Sequence, residues 1–338
     1  MKLPALPKLR HPDGLLPTAL ALAYILGAYA GGFALLVHAS WWSWPLGVLL
    51  LGHGLVIAAY LIHDCTHQAV FFEREWNARL GNLLSVLVGG CYGAYDGLRL
   101  KHMRHHVDRA DVVAFDYRAM LLARPWLLRL VQALEWAYVP AVEMFMHGLV
   151  IFSPFFVEAY RARRRRVLTW LVLRGSALLL LACFAWPALL GYIVAYMLFL
   201  NVLRTLDMHQ HTYEVVVGLD AEPGERPSYA YEQRNTFSNP FGHSPLLNLL
   251  VLNFGYHNAH HEKPVTPWYR LPQLHRELYG ADPAEEPVLP ARQFLANMHR
   301  NRVTRVLNAD HGDATVGQPV AAGPGFVGVY GVSFLTAL

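Results

Sequence analysis

Residues 44–67 read WPLGVLLLGHGLVIAAYLIHDCTH. From Trp44 to Ile62 the run carries no Asp, Glu, Lys or Arg and is long enough for a membrane-spanning helix, with His53 as its ionisable interruption. It leads directly into His63-Asp64-Cys65-Thr66-His67. If the helix continues, these two histidines four residues apart share a face, and both imidazoles can reach one metal. A bilayer span that ends in metal-ligand spacing sets the fold class and the place to look for chemistry.

Outward from this stretch, three more apolar runs qualify as spans: residues 15–37, 167–186 and 188–206. HASWWSW precedes the opening run, and its Trp41, Trp42 and Trp44 suit an interfacial anchor. Trp186-Pro187 marks a tight turn between the last two spans, and Arg174 is near enough to a basic end to snorkel. Of two shorter stretches, Gly81–Tyr95 fits an interfacial or re-entrant segment better than a span, and Val139–Val157, with Glu143, His147, Pro140 and Pro154, reads as lying along the interface. The composition agrees: 54% of residues are hydrophobic, 15% are charged, and mean hydropathy is +0.26, whereas a soluble domain carries about 25% charged residues.

Basic residues give the orientation. Lys2, Lys8 and Arg10 precede the first span and Arg161, Arg163, Arg164, Arg165 and Arg166 precede the third, while the short connections on the other side have no Lys or Arg. The positive-inside rule puts both termini and the 63–166 loop in the cytoplasm, in what reads as a bacterial inner membrane. RARRRR is a headgroup anchor on this reading, and no nucleic-acid role follows from it. The expected fold is an all-α integral membrane protein: one domain over 1–307, four transmembrane helices, and a cytoplasmic helical cap (63–166 and 207–307). A tail at 308–338 follows. Its formal GxGxxG at residues 323–328 lacks room for a βαβ unit, though VSFLTAL at the very end is apolar enough to dock.

The 18 histidines are the unusual feature. His102-Met103-Arg104-His105-His106 and His257-Asn258-Ala259-His260-His261 repeat the one-face spacing, and His209 and His211 follow the fourth span. Any single cluster is ordinary. Three clusters on one side of a membrane, with one more imidazole, make nine donors, too many for one metal and suited to two. A zinc protease would carry HExxH where this chain has HDCTH, and a structural zinc closes with four ligands. The three scattered cysteines exclude thiolate sites and disulfide frameworks. Two redox metals at a membrane surface point to oxygen activation, although imidazole itself suits zinc, copper, iron and nickel alike.

HDCTH, HMRHH and HNAHH, in this order around these spans, resemble the three histidine boxes of the membrane fatty acid desaturase and hydroxylase superfamily. The HxxxH form of the first is closest to the acyl-lipid desaturase type. Arg204-Thr205-Leu206-Asp207-Met208-His209 resembles the stretch that supplies a further ligand after the last span. The resemblance implies two iron ions held by His63, His67, His102, His105, His106, His209, His257, His260 and His261. Met208 stands where the family has an acidic residue, which keeps His211 as an alternative to His209. It also implies O2 as co-substrate and desaturation of a lipid acyl chain, or hydroxylation or ketolation of a lipid, carotenoid or alkane. No dinucleotide fingerprint or haem or iron–sulfur motif is present. Electrons are therefore expected from a separate ferredoxin, rubredoxin or small cytochrome with its reductase.

Candidate carboxylates to orient the imidazoles are Asp64, Asp108, Asp111, Asp207 and Glu262. Phe71, Phe72, Tyr92 and Tyr95 are candidates to line a substrate tunnel, and each also suits ordinary packing. His53 reads equally well as a neutral hydrogen-bonded contact between helices. A histidine-rich metal transporter is the rival from another class, but its ligands belong near the bilayer midplane rather than beyond the span ends.

Overall fold

In the computed structural model, residues 7–213, 216–222, 224–242, 244–280, 288–307 and 335–337 are described. The helices run α1 (Leu15–His38), α2 (Ser43–Thr66), α3 (Arg74–Leu87), α4 (Tyr95–Asp108), α5 (Tyr117–Leu122), α6 (Pro125–Trp136), α7 (Ala141–Phe156), α8 (Arg164–Asp207), α9 (Tyr229–Arg234), α10 (Pro245–Leu249), α11 (His257–Glu262), α12 (Leu271–Tyr279) and α13 (Ala291–Asn301). The all-α expectation needs one correction. Valine-rich β1 (Asp111–Val113) pairs in parallel with β2 (Val216–Gly218), Asp111 opposite Val216.

Among the described residues, three helical stretches are long and apolar enough to cross a membrane: Pro12–His38, Ser43–Thr66 and Glu158–Asp207. The middle one is central, since 72% of its apolar window is buried against 28% and 17% for the others, which leaves their outer faces for lipid. The first two pack closely because Gly32 lets them meet: a Cβ there would stand 2.8 Å from that of Leu51.

The 44-residue α8 is two arms. Ala185 leaves helical geometry (φ −153°, ψ 59°), and Pro187 can neither donate to the preceding turn nor tolerate a helical Trp186 easily. Arg174 Nη2 donates to the Tyr192 hydroxyl at 2.7 Å across 18 residues. A straight helix would hold those positions ~27 Å apart, so the second arm folds back along the first. The bend is where the sequence placed a turn. Trp44 Nε1 fastens it by donating to Pro187 O at 2.8 Å.

The segment Gly81–Tyr95 consists of the end of α3, a 3-10 turn at Gly90–Tyr92 and the start of α4. It does not separate the first two histidine clusters, because the His63 and His102 rings lie 4.4 Å apart. A Cβ on Gly81 would meet the Tyr95 ring at 2.4 Å, so α3 lies flat on α4. The 16-residue α7 buries Val142, Glu143 and Met146 and exposes Phe152 and Phe156, the two-faced disposition of an interfacial helix. From the tail, Leu335–Ala337 are buried, and Thr336 Oγ1 accepts from Lys101 Nζ at 3.0 Å. The GxGxxG at 323–328 lies outside the described residues.

Candidate metal centre

Three short helical ends deliver the histidines. α2 stops at Thr66 with His67 as its C-cap, and Gln68 takes a left-handed φ of 56° that turns the chain away. His63 and His67 thus keep helical spacing although the helix does not continue past them. α4 presents His102, His105 and His106 in its last turns, and the six-residue α11 presents His257, His260 and His261.

The imidazoles gather into two groups. Donor atoms of His63, His67, His102, His106 and His260 all lie within 4.8 Å of one another, and so do those of His105, His211, His257 and His261. In the first group, Nε2 of His102 is 2.7 Å from that of His67 and 3.1 Å from that of His106, with His260 Nε2 3.2 Å from the latter. In the second, His211 Nε2 is 2.9 Å from His105 Nε2 and 2.8 Å from His257 Nε2. The His106 and His261 rings stack at 4.1 Å and join the groups.

His209 is not among these donors. Its Nδ1 donates to Thr205 O at 2.6 Å, and its ring turns toward Phe294. The chain leaves α8 through Met208–Gln210, and His211 bridges to Thr236, which swings it onto the cluster. Of the two histidines that follow α8, His211 joins the gathered donors and His209 does not.

Whether cations fit can be judged from the protons. His105 Nδ1 donates to Ala110 O at 2.9 Å and His261 Nδ1 to Glu232 Oε1 at 3.0 Å. Thr236 Oγ1 already donates to Glu232 O, so at 3.3 Å it accepts from His211 Nδ1. Each neutral ring therefore turns an Nε2 lone pair inward. The lone pairs of His105 and His211, facing one another at 2.9 Å, repel unless a cation lies between them. The donor set fits two metal ions.

Burial, first, and the neighbouring imidazoles, second, hold His102, His106, His211, His257 and His260 well below 6.5, and His105 is lowered from 6.5 to about 3, so all are neutral and ready to ligate at pH 7. The unfolded rings take up protons near 6.5 and the folded ones only further down. Chelator-stripped protein should therefore be stable above that value and lose stability as pH falls through and below it. Its melting temperature is expected to be lower at about pH 5.5 than at about pH 7.5, and equal values at the two pH settings would contradict this.

Of the predicted carboxylates, Asp64 lies beside His63, and the others have partners elsewhere. Asp64 Oδ2 accepts from Trp268 N at 2.9 Å, and its Oδ1 is 3.8 Å from His63 Nδ1, too far for a hydrogen bond. Asp108 pairs with Arg104 and Arg226, and Glu262 accepts from the Tyr229 hydroxyl. Asp111 and Asp207 lie beside buried Lys101, offsetting part of the desolvation that lowers its pKa to about 8. A carboxylate outside that set, Glu232, accepts from His261 Nδ1 and is clamped by Arg109 at 2.7 Å. It sits on α9, 29 residues before its histidine, where no spacing signals it. Glu232→Gln is expected to weaken metal binding ten- to hundredfold, read by competition with a chelator.

Of the aromatic candidates, Tyr92 lines a cavity of about 310 Å³ between α7 and the two arms of α8, with His147, Arg174, Tyr192 and Tyr196. Tyr95 is buried with its hydroxyl on Cys65 O, Phe71 is half-buried, and Phe72 is exposed.

Residues 39–291 match the family model for fatty acid desaturase. A fatty acid desaturase from Bacillus subtilis (strain 168) is 26% identical over 250 residues, 68% of this chain and 67% of that protein. A sphingolipid delta(4)-desaturase, DES1 of Drosophila melanogaster, is 24% identical over 253 residues, 72% of this chain and 70% of its own length. With a family match over most of its length, and histidines and apolar helices of the kind that family uses, the chain belongs to the fatty acid desaturase family and is an oxidoreductase.

Proposed function

We propose that this protein desaturates a lipid acyl chain at a di-iron centre held by nine histidines: His63, His67, His102, His106 and His260 around one ion, and His105, His211, His257 and His261 around the other. The convergence of these imidazoles in two separate groups is the observation that carries the reading. Bound iron supplies the redox chemistry by which O2 is reduced. In the overall balance, one methylene pair loses two hydrogens, and O2 with two electrons and two protons leaves as two waters. The electrons come from a separate redox protein.

The chain's own residues supply position and protection. Ala110 O, Thr236 Oγ1 and Glu232 hold the Nδ1 protons of three rings, so that their Nε2 atoms stay unprotonated and aimed inward. Phe254 closes the group around His63, with ring centroids 4.8 Å apart, and Tyr60 stacks behind it at 4.5 Å. A wall of this kind keeps bulk water from the reacting carbon. The cavity lined by Tyr92 and Tyr196 is of a size for part of an acyl chain. With the two arms of α8 counted separately, the chain crosses the bilayer four times. Arg161 and Arg163–Arg166 then lie on the cytoplasmic side with the cap.

The test is metal analysis of purified protein together with lipid profiling of expressing cells. About two irons per chain and a new unsaturated acyl product are expected, both lost in His105→Ala/His260→Ala. An alcohol product would redirect the reading to hydroxylation, and one tightly bound zinc would defeat it.

A further inference from the structure

The segment 244–256 reads SPLLNLLVLNFGY, without a charge, in the middle of the cap rather than in a span. In the structure it forms α10 and a turn that bury Asn248, Val251 and Leu252 but hold other leucines outward: Leu246 is 77% exposed, Leu247 48% and Leu250 46%. Four leucines on one short loop, Leu249 among them, are an apolar surface that water does not favour.

What covers it follows from depth. His53 Nε2 donates to Leu250 O at 2.9 Å, while His53 Nδ1 accepts from the Tyr24 hydroxyl at 2.5 Å. His53 lies ten residues before His63, or ~15 Å back along α2 from the metal centre. Tyr24 lies nine residues into α1, ~14 Å past exposed Leu15. Leu250 therefore sits level with the interior of the apolar belt of α1 and α2, well inside a hydrocarbon layer ~30 Å thick.

The loop is also built for such a place, where backbone polar groups must be satisfied internally. Asn248 is fully buried; its Oδ1 accepts from Phe241 N, and its Nδ2 reaches Gly242 O, Ser244 O and the Tyr256 hydroxyl. Leu250, Val251, Leu252 and Asn253 N–H groups all close onto carbonyls within the loop, with Leu252 and Asn253 at positive φ making the reversal. His53 takes the carbonyl of Leu250.

We propose that residues 244–252 are a re-entrant loop whose exposed leucines, Leu246, Leu247, Leu249 and Leu250, insert into the acyl region of the leaflet beside the cap, pinned there by His53. The occupant of this surface is the bilayer itself. The loop leads into His257, so the pin also ties the depth of the third histidine cluster to that of α2.

Spin labels in nanodiscs test this without reference to catalysis. In a Cys183→Ser background, labels are placed at Leu246→Cys, at Leu20→Cys as the hydrocarbon control and at Arg276→Cys as the aqueous control. The Leu246 label is expected to relax strongly with O2 and weakly with a polar nickel chelate, as at Leu20. Nickel accessibility like that of Arg276 overturns the proposal. So does low accessibility to both reagents, which would mean a protein surface, such as a second copy, covers the loop. Adding His53→Leu is expected to increase the mobility of the Leu246 label and not the Leu20 label; unchanged mobility overturns the role of His53.

Discussion

A His211→Ala chain is expected to bind about one metal ion where the parent binds two, and to lose more than ~100-fold in product formation. His209→Ala is expected to keep both metals and most of its activity. The two positions are two residues apart, equally buried and equally histidine, so composition and burial do not distinguish them. The distinction lies in where the nitrogens go. His211 Nε2 stands 2.9 Å from that of His105 and 2.8 Å from that of His257, and removing it opens one group from four donors to three. His209 instead spends Nδ1 on Thr205 O, capping the last turn of α8. Its loss should destabilise the fold by on the order of 1 kcal/mol, read as a modest fall in melting temperature. Metal content of the two variants decides the matter. A His209→Ala chain with one metal, beside a His211→Ala chain with two, would reverse the assignment.

The contrast shows what the sequence could carry. Eight of the nine gathered histidines were legible because helical spacing is local: i, i+3 and i+4 fall on one face regardless of what packs around them. The ninth depends on the path of a non-helical segment after Asp207, where adjacent candidates differ only in a backbone turn. The same limit hid Glu232. A carboxylate that orients a ring from a different helix leaves no periodicity behind, so the motif-adjacent Asp64 and Glu262 drew attention instead. The bend at Ala185 was legible for the opposite reason, since proline acts on its own neighbours. His53 was legible as an anomaly but not as a contact, because its partner Leu250 is 197 residues away. The α7 region was read as an interfacial helix from its length and prolines, and nothing local indicated that its Glu143 is buried in an ion network.

That network carries the second large effect. Arg204→Met is expected to destabilise the protein by ~3–5 kcal/mol, the cost of stranding buried carboxylates. Arg204 is fully buried, with Nη1 donating to Glu135 and lying 3.4 Å from Glu143. Arg305 Nη2 approaches the same two acids at 3.5 and 3.0 Å. Glu135 Oε1 also accepts from Val142 N at 3.0 Å, at the start of α7. Two cations and two anions thus join α6, α7, the end of α8 and the segment after α13, beside the apolar cluster of Val131, Val142, Met146 and Val306. Arg305 alone leaves one negative charge uncompensated in the interior, whereas Arg204→Met/Glu135→Met removes charge in pairs and should recover much of the loss. Thermal unfolding in detergent checks both variants, with a fall on the order of 10 °C expected for the single substitution. A single variant as stable as the parent would mean that water or rearrangement already screens the pair. Because Arg204 lies in the last turn of α8, seven residues before His211, the unfolding should be accompanied by loss of the second metal group before the first, a sequence that metal release during the melt would record.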